Sequence, residues 1–285
     1  MKIAYLLDST SSLNKEDALA NLDNVYYLQL DLMIDKEVYA TSSVNDILQD
    51  SLLDKINHAK EVKSMMPTMA QIGTLLDKVA SDGYDVLVTC LVGSGISNLQ
   101  NLVYQEGMNR KLTIIQLDSK GVGPVMIEAI KKFMAEISSG QSLVQIQSKV
   151  QHMINVSSSY CVIDNLSHLV KGGSISNVDA ILKNILDVKQ IVMCDTSLGG
   201  KIKMLPSARS INKALSMMLD DALSNINTNE YHFYIGHYGD ITLAKLCEDL
   251  LLEKAGPVDY SHVPLNDTIG VHTGSHCVCF FSVRK

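Results

Sequence analysis

The strongest constraint on the fold is a run of residues, Val86 to Val92, that is apolar on both faces of a strand. Such a strand must be covered on both sides, which is typical of the central strands of a parallel sheet. Two further apolar runs, at 3–7 and 112–117, have the same character, and all three are followed by a helical pattern. Because parallel strands need crossover connections, this order predicts a three-layer α/β domain with a parallel sheet.

Polar loops follow these three strands, at 8–10, 93–95 and 118–119. In an open α/β sheet the carboxyl ends of the strands lie along one edge, where ligands bind. The glycines on either side of Ser94 allow a close approach of the backbone to a ligand. The helix predicted after Ser97, with Gln100 at the capping-box position, offers free backbone amides to an anion. We therefore expect the three loops to meet and to form a binding site.

The second half of the chain has a different pattern. Two short strands flank Gly199-Gly200, which predicts a hairpin and hence antiparallel pairing. We expect two domains, at 1–154 and 155–285, the second being α/β with a mixed sheet. Further predicted helices cover a stretch ending at Asn21, 44–60, 69–81, a stretch beginning near Pro124, one ending at 171–173, 178–186, 208–223 and one ending at Ala255. Further predicted strands cover 25–34, 160–163, 190–194, 201–205, 231–237, 259–263, 269–272 and 277–283.

Composition narrows the class of protein. Hydrophobic residues make up 46% of 285 residues, which is enough for real cores, and charged residues make up only 19%. A net charge of −7 argues against nucleic-acid binding, which needs a basic face. Since no apolar run reaches about 18 residues and the apolar start is too short for a signal peptide, we expect no membrane segment and a cytoplasmic location.

The six cysteines mostly lie within apolar runs, which predicts reduced, buried thiols. Cys277 and Cys279 alternate on a predicted strand and should face the same side, but one intervening residue does not make a zinc site. The glycines around His272 and His276 argue against a shared helical face that could hold a metal. We expect neither a metal nor a cofactor.

The residues alone leave three classes of function open. Ser94 and His272, with Asp8 or Asp118, would supply the groups of a serine hydrolase acting on acyl esters. A binding protein would use the same polar groups for an anion, and a structural or regulatory domain would use none of them. Ser64, in the loop between two predicted helices, could be no more than a helix cap.

Seven segments carry a more specific pattern. They are D-S-T-S-S-L at 8–13, K-S-M-M-P-T at 63–68, G-S-G-I-S at 93–97, D-S-K at 118–120, L-V-K-G-G-S-I-S at 169–176, G-G-K at 199–201 with Arg209, and I-G-V-H-T-G at 269–274. Together they resemble, in order, the motifs of the DegV family of bacterial fatty-acid-binding proteins. The sequence departs from the family pattern at Gly93, Ser174 and Ser275, so the chain resembles a divergent member.

The resemblance implies a two-domain DegV-like fold with a buried long-chain fatty acid such as palmitate, stearate or oleate. By the same resemblance, Ser64, Ser94 and His272 would bind the carboxylate, and Ser9, Gly95 and Thr273 are secondary candidates. The protein would not be an enzyme. It would present the acid to a dihydroxyacetone-kinase-like fatty acid kinase that makes acyl phosphate for phospholipid synthesis.

Energetics define what such a carrier needs. A chain of about 15 methylenes gains about 12 kcal/mol on burial, before the entropy of binding is subtracted. The carboxylate resists burial unless hydrogen-bond donors meet it. A carrier therefore needs a long apolar channel with a small polar end, where a protonated His272 would favour the anion further.

Overall fold

The computed structural model describes residues 1–41, 52–110, 112–164, 168 and 188–285. The strands are β1 (Ile3–Asp8), β2 (Val25–Leu28), β3 (Asp31–Ile34), β4 (Glu37–Ala40), β5 (Val62–Ser64), β6 (Val86–Leu91), β7 (Thr113–Asp118), β8 (Ser158–Ile163), β9 (Gln190–Asp195), β10 (Lys201–Met204), β11 (Tyr231–His237), β12 (Tyr260–Pro264) and β13 (Cys277–Arg284). The α-helices are α1 (Leu53–His58), α2 (Met69–Ser81), α3 (Leu99–Asn109), α4 (Pro124–Glu136), α5 (Leu143–Asn155), α6 (Ile211–Ala222), α7 (Ile241–Ala255) and α8 (Asp267–Thr273).

The first sheet is parallel throughout, with strand order β2-β1-β6-β7. All six residues of β6 are buried, as expected of a central strand covered on both faces. Helices α2 and α3 cover one face, and α4 and α5 cover the other. The predicted three-layer arrangement is confirmed. Its carboxyl edge carries the loops after β1, β6 and β7.

The second sheet is mixed, also as predicted, with order β10-β9-β8-β13-β11-β12. Its neighbours are antiparallel except for β11 and β12, and β9 with β10 forms the predicted hairpin. Helices α6 and α7 pack on one face of this sheet. The other face contributes Phe281 and Val283 to the core that also contains Phe133 of α4. The division into domains at 154/155 stays a prediction.

A third, three-stranded antiparallel sheet, β4-β3-β5, was not anticipated. Its strands β4 and β5 lie on either side of the stretch 44–60 that is predicted as a helix, of which α1 is the portion among the described residues. Ser64 lies between two helices, α1 and α2, as predicted, but it ends a strand instead of lying in a loop. The exposed strand β4 has no apolar periodicity, so its pairing with β3 could not be predicted from its own residues.

The stretch after β1 is not the predicted helix. It contains two short 3-10 turns, Ser9–Ser11 and Ala18–Asn21, each opened by an aspartate side chain that accepts a backbone amide hydrogen bond. Ser12 then takes a left-handed conformation with φ of 56°. Such local bonds from side chain to backbone compete with helix formation.

Two further predictions need correction. The segment 269–272 is not a strand but belongs to α8, because Asn266 caps the helix by accepting from the amide and hydroxyl of Thr268. Helix α3 begins at Leu99, so Gln100 forms no capping box, although the Ser97 hydroxyl does accept from the Leu99 amide. The end at 171–173 of one predicted helix, the whole predicted helix at 178–186 and the motif at 169–176 lie outside the described residues.

Among the described helices, none combines the length and the apolar character that are needed to cross a lipid bilayer.

Candidate functional site

A cavity of about 650 Å³ lies where the carboxyl edge of the parallel sheet faces the mixed sheet. Its volume is within the range of about 300–1,000 Å³ that is typical of small-molecule sites. The lining is mostly apolar, with a few hydroxyl, amide and basic groups. It comprises Thr10, Leu30, Ser64, Met65, Met66, Val92, Gly95, Ile96, Ser97, Asn98, Val122, Ser159, Tyr160, Cys161, Ile163, Val192, Met193, Cys194, Lys201, Ile202, Thr268, Ile269, His272, Thr273, Cys279 and Phe281.

Ser64 and His272 meet on the wall of this cavity. Ser64 ends β5, and His272 lies in the last turn of α8. The Ser64 Oγ and His272 Nε2 atoms are 3.1 Å apart, a hydrogen bond between residues 208 positions apart in the chain. Burial lowers the pKa of His272 from 6.5 to about 4, so its imidazole is neutral near pH 7. At neutral pH His272 is therefore not in the protonated form that would favour an anion further.

Asp8 fixes the edge of the sheet beneath the cavity. Its buried carboxylate accepts from the Thr10 amide at 2.7 Å, the Thr10 hydroxyl at 2.6 Å and the Val92 amide at 2.7 Å. These bonds connect the ends of β1 and β6 and hold Thr10 and Val92 in the cavity wall. Burial raises the pKa of Asp8, against the effect of its hydrogen bonds. Asp8 thus has a structural place here and does not line the cavity.

Ser94 lies in a different electrostatic environment. It is exposed, and it is not among the residues that line the cavity. Its hydroxyl donates to Asp118 Oδ2 at 2.5 Å and its amide to Asp118 Oδ1 at 3.0 Å. Lys120 Nζ lies 2.6 Å from the same carboxylate. Hydrogen bonds from Lys120 and Ser94 outweigh burial and lower the pKa of Asp118, which keeps it ionised.

The three secondary candidates are placed differently. Ser9 is fully buried and is not among the lining residues, although it accepts from the amide of Leu30, which lines the cavity, at 2.8 Å. Thr273 lines the cavity, and its hydroxyl lies 3.2 Å from the Ile269 carbonyl oxygen. Gly95 also lines it, at a point where a Cβ atom would come within 2.4 Å of the Gly200 carbonyl carbon. Glycine at 95 therefore allows the Ser94 loop to contact the hairpin between β9 and β10.

Residue spacing did not identify the apolar rim of the cavity. Met65, Met66 and Ile96 line it while remaining 36–46% exposed. The Met66 sulfur accepts a hydrogen bond from the Ser97 hydroxyl at 3.4 Å. The high number of methionines, 13 in the sequence, was the available signal, since methionine suits adaptable apolar pockets.

The hydrolase alternative requires Ser94 to face His272. The Ser94 hydroxyl instead donates to Asp118, and His272 pairs with Ser64. Across the described ranges, no three histidine, cysteine or acidic side chains are grouped so that they could hold a metal ion.

Comparisons with known proteins agree with the geometry of this site. Residues 2–285 match the sequence profile of the DegV family, which is described as a family of uncharacterised proteins. The chain belongs to the DegV family. A DegV domain-containing protein of Streptococcus pyogenes serotype M1 is 26% identical over 284 residues, which cover 98% of each chain.

Solved structures resemble the whole chain. A fatty acid binding DegV family protein from Streptococcus agalactiae has a TM-score of 0.86 and 26% identity, covering 100% of this chain and 99% of its own. The fatty acid kinase B3 protein of Streptococcus pneumoniae, loaded with linoleic acid, has a TM-score of 0.80 and 14% identity, covering 100% of both chains. At that identity the second likeness concerns the fold alone. Further solved DegV structures, from Thermotoga maritima and Thermus thermophilus, are also described as binding fatty acids, the class of ligand that the sequence motifs predict for this chain.

Proposed function

We propose that this protein buries one long-chain fatty acid in the 650 Å³ cavity and presents its carboxylate to a fatty acid kinase. The observation that carries the proposal is a mostly apolar cavity with the Ser64–His272 pair on its wall. This is the combination that a fatty acid needs, because its tail gains from leaving water and its head does not.

The head group would be held by the Ser64 hydroxyl and the His272 imidazole. A neutral imidazole can donate one N–H, and a serine hydroxyl can donate one O–H, so a bound carboxylate would replace the Ser64–His272 hydrogen bond in order to accept from both. Hydrogen bonds to a charged acceptor contribute about 1.5–3 kcal/mol each, which offsets part of the desolvation of the carboxylate. Thr273 and the backbone at Gly95 also line the cavity and are secondary candidates for contacts with the ligand.

The tail would run along the wall formed by β8, β9 and β13. Residues of this wall include Ile163, Val192 and Phe281. Each buried methylene contributes about 0.8 kcal/mol, so palmitate, stearate and oleate are all suitable occupants. The flexible side chains of Met65 and Met66 at the rim can adapt to chains of different length or saturation.

The kinase step has separate support. The motifs resemble those of carriers whose acid becomes an acyl phosphate for phospholipid synthesis. The fold is shared with the pneumococcal protein loaded with linoleic acid. A kinase needs access to the carboxylate, and Ser64 lies beside Met65, which is 36% exposed.

Lipid analysis of the purified protein tests the binding proposal. We expect mass spectrometry of an organic extract to detect one long-chain fatty acid per chain, and delipidated protein to take up added oleate or palmitate. Absence of both would contradict the proposal. His272→Gln should load less acid, whereas His276→Gln is the matched control, because His276 is exposed and pairs with Asp240.

A coupled assay tests presentation. Loaded protein, ATP and a purified fatty acid kinase of the dihydroxyacetone-kinase-like class should yield acyl phosphate, trapped as a hydroxamate. Failure with a kinase that is active on its own carrier would contradict presentation but not binding. A fluorophosphonate that labels Ser94 or Ser64, together with turnover of p-nitrophenyl esters, would favour the hydrolase instead.

A further inference from the structure

Four of the six cysteines are associated with one wall of the cavity. Cys161 of β8, Cys194 of β9 and Cys279 of β13 line it directly. Cys277, two residues before Cys279, lies 3.2 Å from the hydroxyl of Thr273, which also lines the cavity. The proposed binding of a fatty acid by itself requires none of these thiols.

Two of these thiols are cross-strand partners. Cys161 and Cys279 are directly opposite each other in the antiparallel pair of β8 and β13. Opposite residues in such a pair have Cα atoms about 4.5 or 5.5 Å apart. Disulfides form across Cα separations of about 4.4–6.8 Å, so either geometry permits a bond without separating the strands. Cys194, by contrast, lies opposite Ser159 and Ile202.

A third thiol lies on the same strand. Cys277 is two residues from Cys279 and so faces the same side of β13, and its Sγ donates to the Thr273 hydroxyl at 3.2 Å. Burial raises the pKa of Cys161 well above its usual range, and burial together with the neighbouring Cys277 does the same for Cys279. The two cross-strand partners are therefore neutral thiols.

We propose that Cys161 and Cys279 form a dithiol site that reduces the hydroperoxide of an unsaturated fatty acid held in the cavity. The inference rests on the proposed function, since the cavity must first bind an acyl chain. Such a chain would pass along the wall that carries both sulfur atoms. The oxidant is the bound lipid hydroperoxide, and the reductant is the pair of thiols.

The chemistry balances in two steps. The Cys279 sulfur attacks the terminal peroxide oxygen as its thiol gives up the proton. The O–O bond breaks, the fatty-acid alkoxide takes up the proton to leave as a hydroxy acid, and Cys279 becomes a sulfenic acid. The Cys161 sulfur then attacks the Cys279 sulfur, and water leaves. One hydroperoxide and two thiols thus give one hydroxy acid, one disulfide and one water, in a single turnover per reduced chain.

The test uses the full-length reduced, delipidated protein with three ligands in parallel: linoleate, linoleic acid hydroperoxide and hydrogen peroxide. We expect linoleate to bind without loss of thiols. We expect the lipid hydroperoxide to be converted to the hydroxy acid and to remove two thiols about tenfold faster than hydrogen peroxide at equal concentration, because binding places it beside the sulfur atoms. Peptide mapping of the oxidised wild-type chain should find Cys161 joined to Cys279.

Variants locate the reaction. Cys161→Ala and Cys279→Ala should each abolish the disulfide. Cys247→Ala is the matched control, because Cys247 is buried in α7 among the side chains that pack α6 and α7 onto the mixed sheet. The map of the wild-type chain gives an answer even where a variant fails to fold.

The outcomes separate the two proposals. Linoleate binding without hydroxy acid, or a disulfide that joins other cysteines, would overturn the dithiol site and leave the carrier function intact. Equal rates of thiol loss with the lipid hydroperoxide and hydrogen peroxide would also overturn it. Absence of linoleate binding would overturn the carrier function and the dithiol site with it.

Discussion

Two serines that the sequence motifs associate with a carboxylate lie in opposite electrostatic settings. Ser64 lines the cavity beside His272, whose imidazole is neutral near pH 7. Ser94 lies outside the lining residues, and its hydroxyl is already donated to an ionised carboxylate, that of Asp118. Since a second carboxylate near Asp118 would be repelled, the same residue type can bind an anion at one position and help to build a loop at the other. The following experiments test this contrast, beginning with the largest expected effect.

Removing both donors of the Ser64–His272 pair should have the largest effect on binding. For Ser64→Ala/His272→Ala we expect oleate affinity to fall about 100-fold, because two hydrogen bonds to a buried anion are lost. Ser94→Ala should change affinity by less than about threefold. Fluorescent fatty-acid displacement measures both. If Ser94→Ala weakens binding as much as the double variant, the contrast is wrong and Ser94 contacts the ligand.

The stability of the delipidated protein should depend on pH through His272. Its pKa is about 4 when folded and 6.5 when unfolded, so below pH 6.5 the unfolded chain binds the proton first. The free energy of unfolding should therefore fall by up to about 3 kcal/mol between pH 6.5 and pH 4, with the full contribution present above pH 6.5.

Urea unfolding of delipidated protein at several pH values measures this loss. In His272→Gln this part of the pH dependence should be absent, whereas His276→Gln should retain it. Identical pH profiles for His272→Gln and the wild type would show that His272 titrates normally. His272 would then be protonated at mildly acidic pH, and Ser64 would not lie beside an imidazole that stays neutral.

Adding a side chain at Gly95, in the loop that carries Ser94, should reduce stability more than removing the Ser94 hydroxyl does. A Cβ at Gly95 would lie 2.4 Å from the Gly200 carbonyl carbon and 2.5 Å from the Lys201 nitrogen, both backbone atoms. We expect Gly95→Ala to cost about 2–3 kcal/mol of stability, because the loop and the hairpin must separate. Gly140→Ala is the control. Nothing lies within 4 Å of its added Cβ, so only its φ of 77° is unfavourable, at about 1 kcal/mol.

Thermal unfolding distinguishes the two glycine variants. If Gly95→Ala were no worse than Gly140→Ala, the close contact between the Ser94 loop and the β9–β10 hairpin would not contribute to stability. The Ser94 loop would then be free to move toward a ligand, and the contrast with Ser64 would weaken.

The smallest expected effect concerns the charge of Asp118. Asp118→Asn removes the charged partner of Lys120 and the strong acceptor of the Ser94 hydroxyl, which should cost about 1 kcal/mol of stability. Oleate affinity should change by less than about threefold, because the cavity lining is untouched. A clear gain in affinity, measured by the same displacement assay, would indicate that Asp118 repels a bound carboxylate and lies closer to it than this contrast implies.

Secondary structure could be predicted from local sequence where the residues of one segment show a clear pattern. The apolar character of Val86–Leu91 predicted a central parallel strand, and α2 has the predicted bounds, opened by a capping box of Thr68 and Gln71. Local sequence could not predict short segments whose structure depends on other elements of the fold. Strand β4 exists because it pairs with β3, and α8 was mistaken for a strand because seven residues are too few for periodicity to decide.

The α/β class, the parallel sheet followed by a mixed sheet and the residue types available for an anion could all be predicted from the amino-acid order. Which of those residues act together follows from the three-dimensional arrangement alone. It brings Ser64 to His272 across 208 positions and places Asp118 against Ser94. The physical reason is that propensity and periodicity act over a few residues, whereas the desolvation and charge that give a serine its role come from elements distant in the chain.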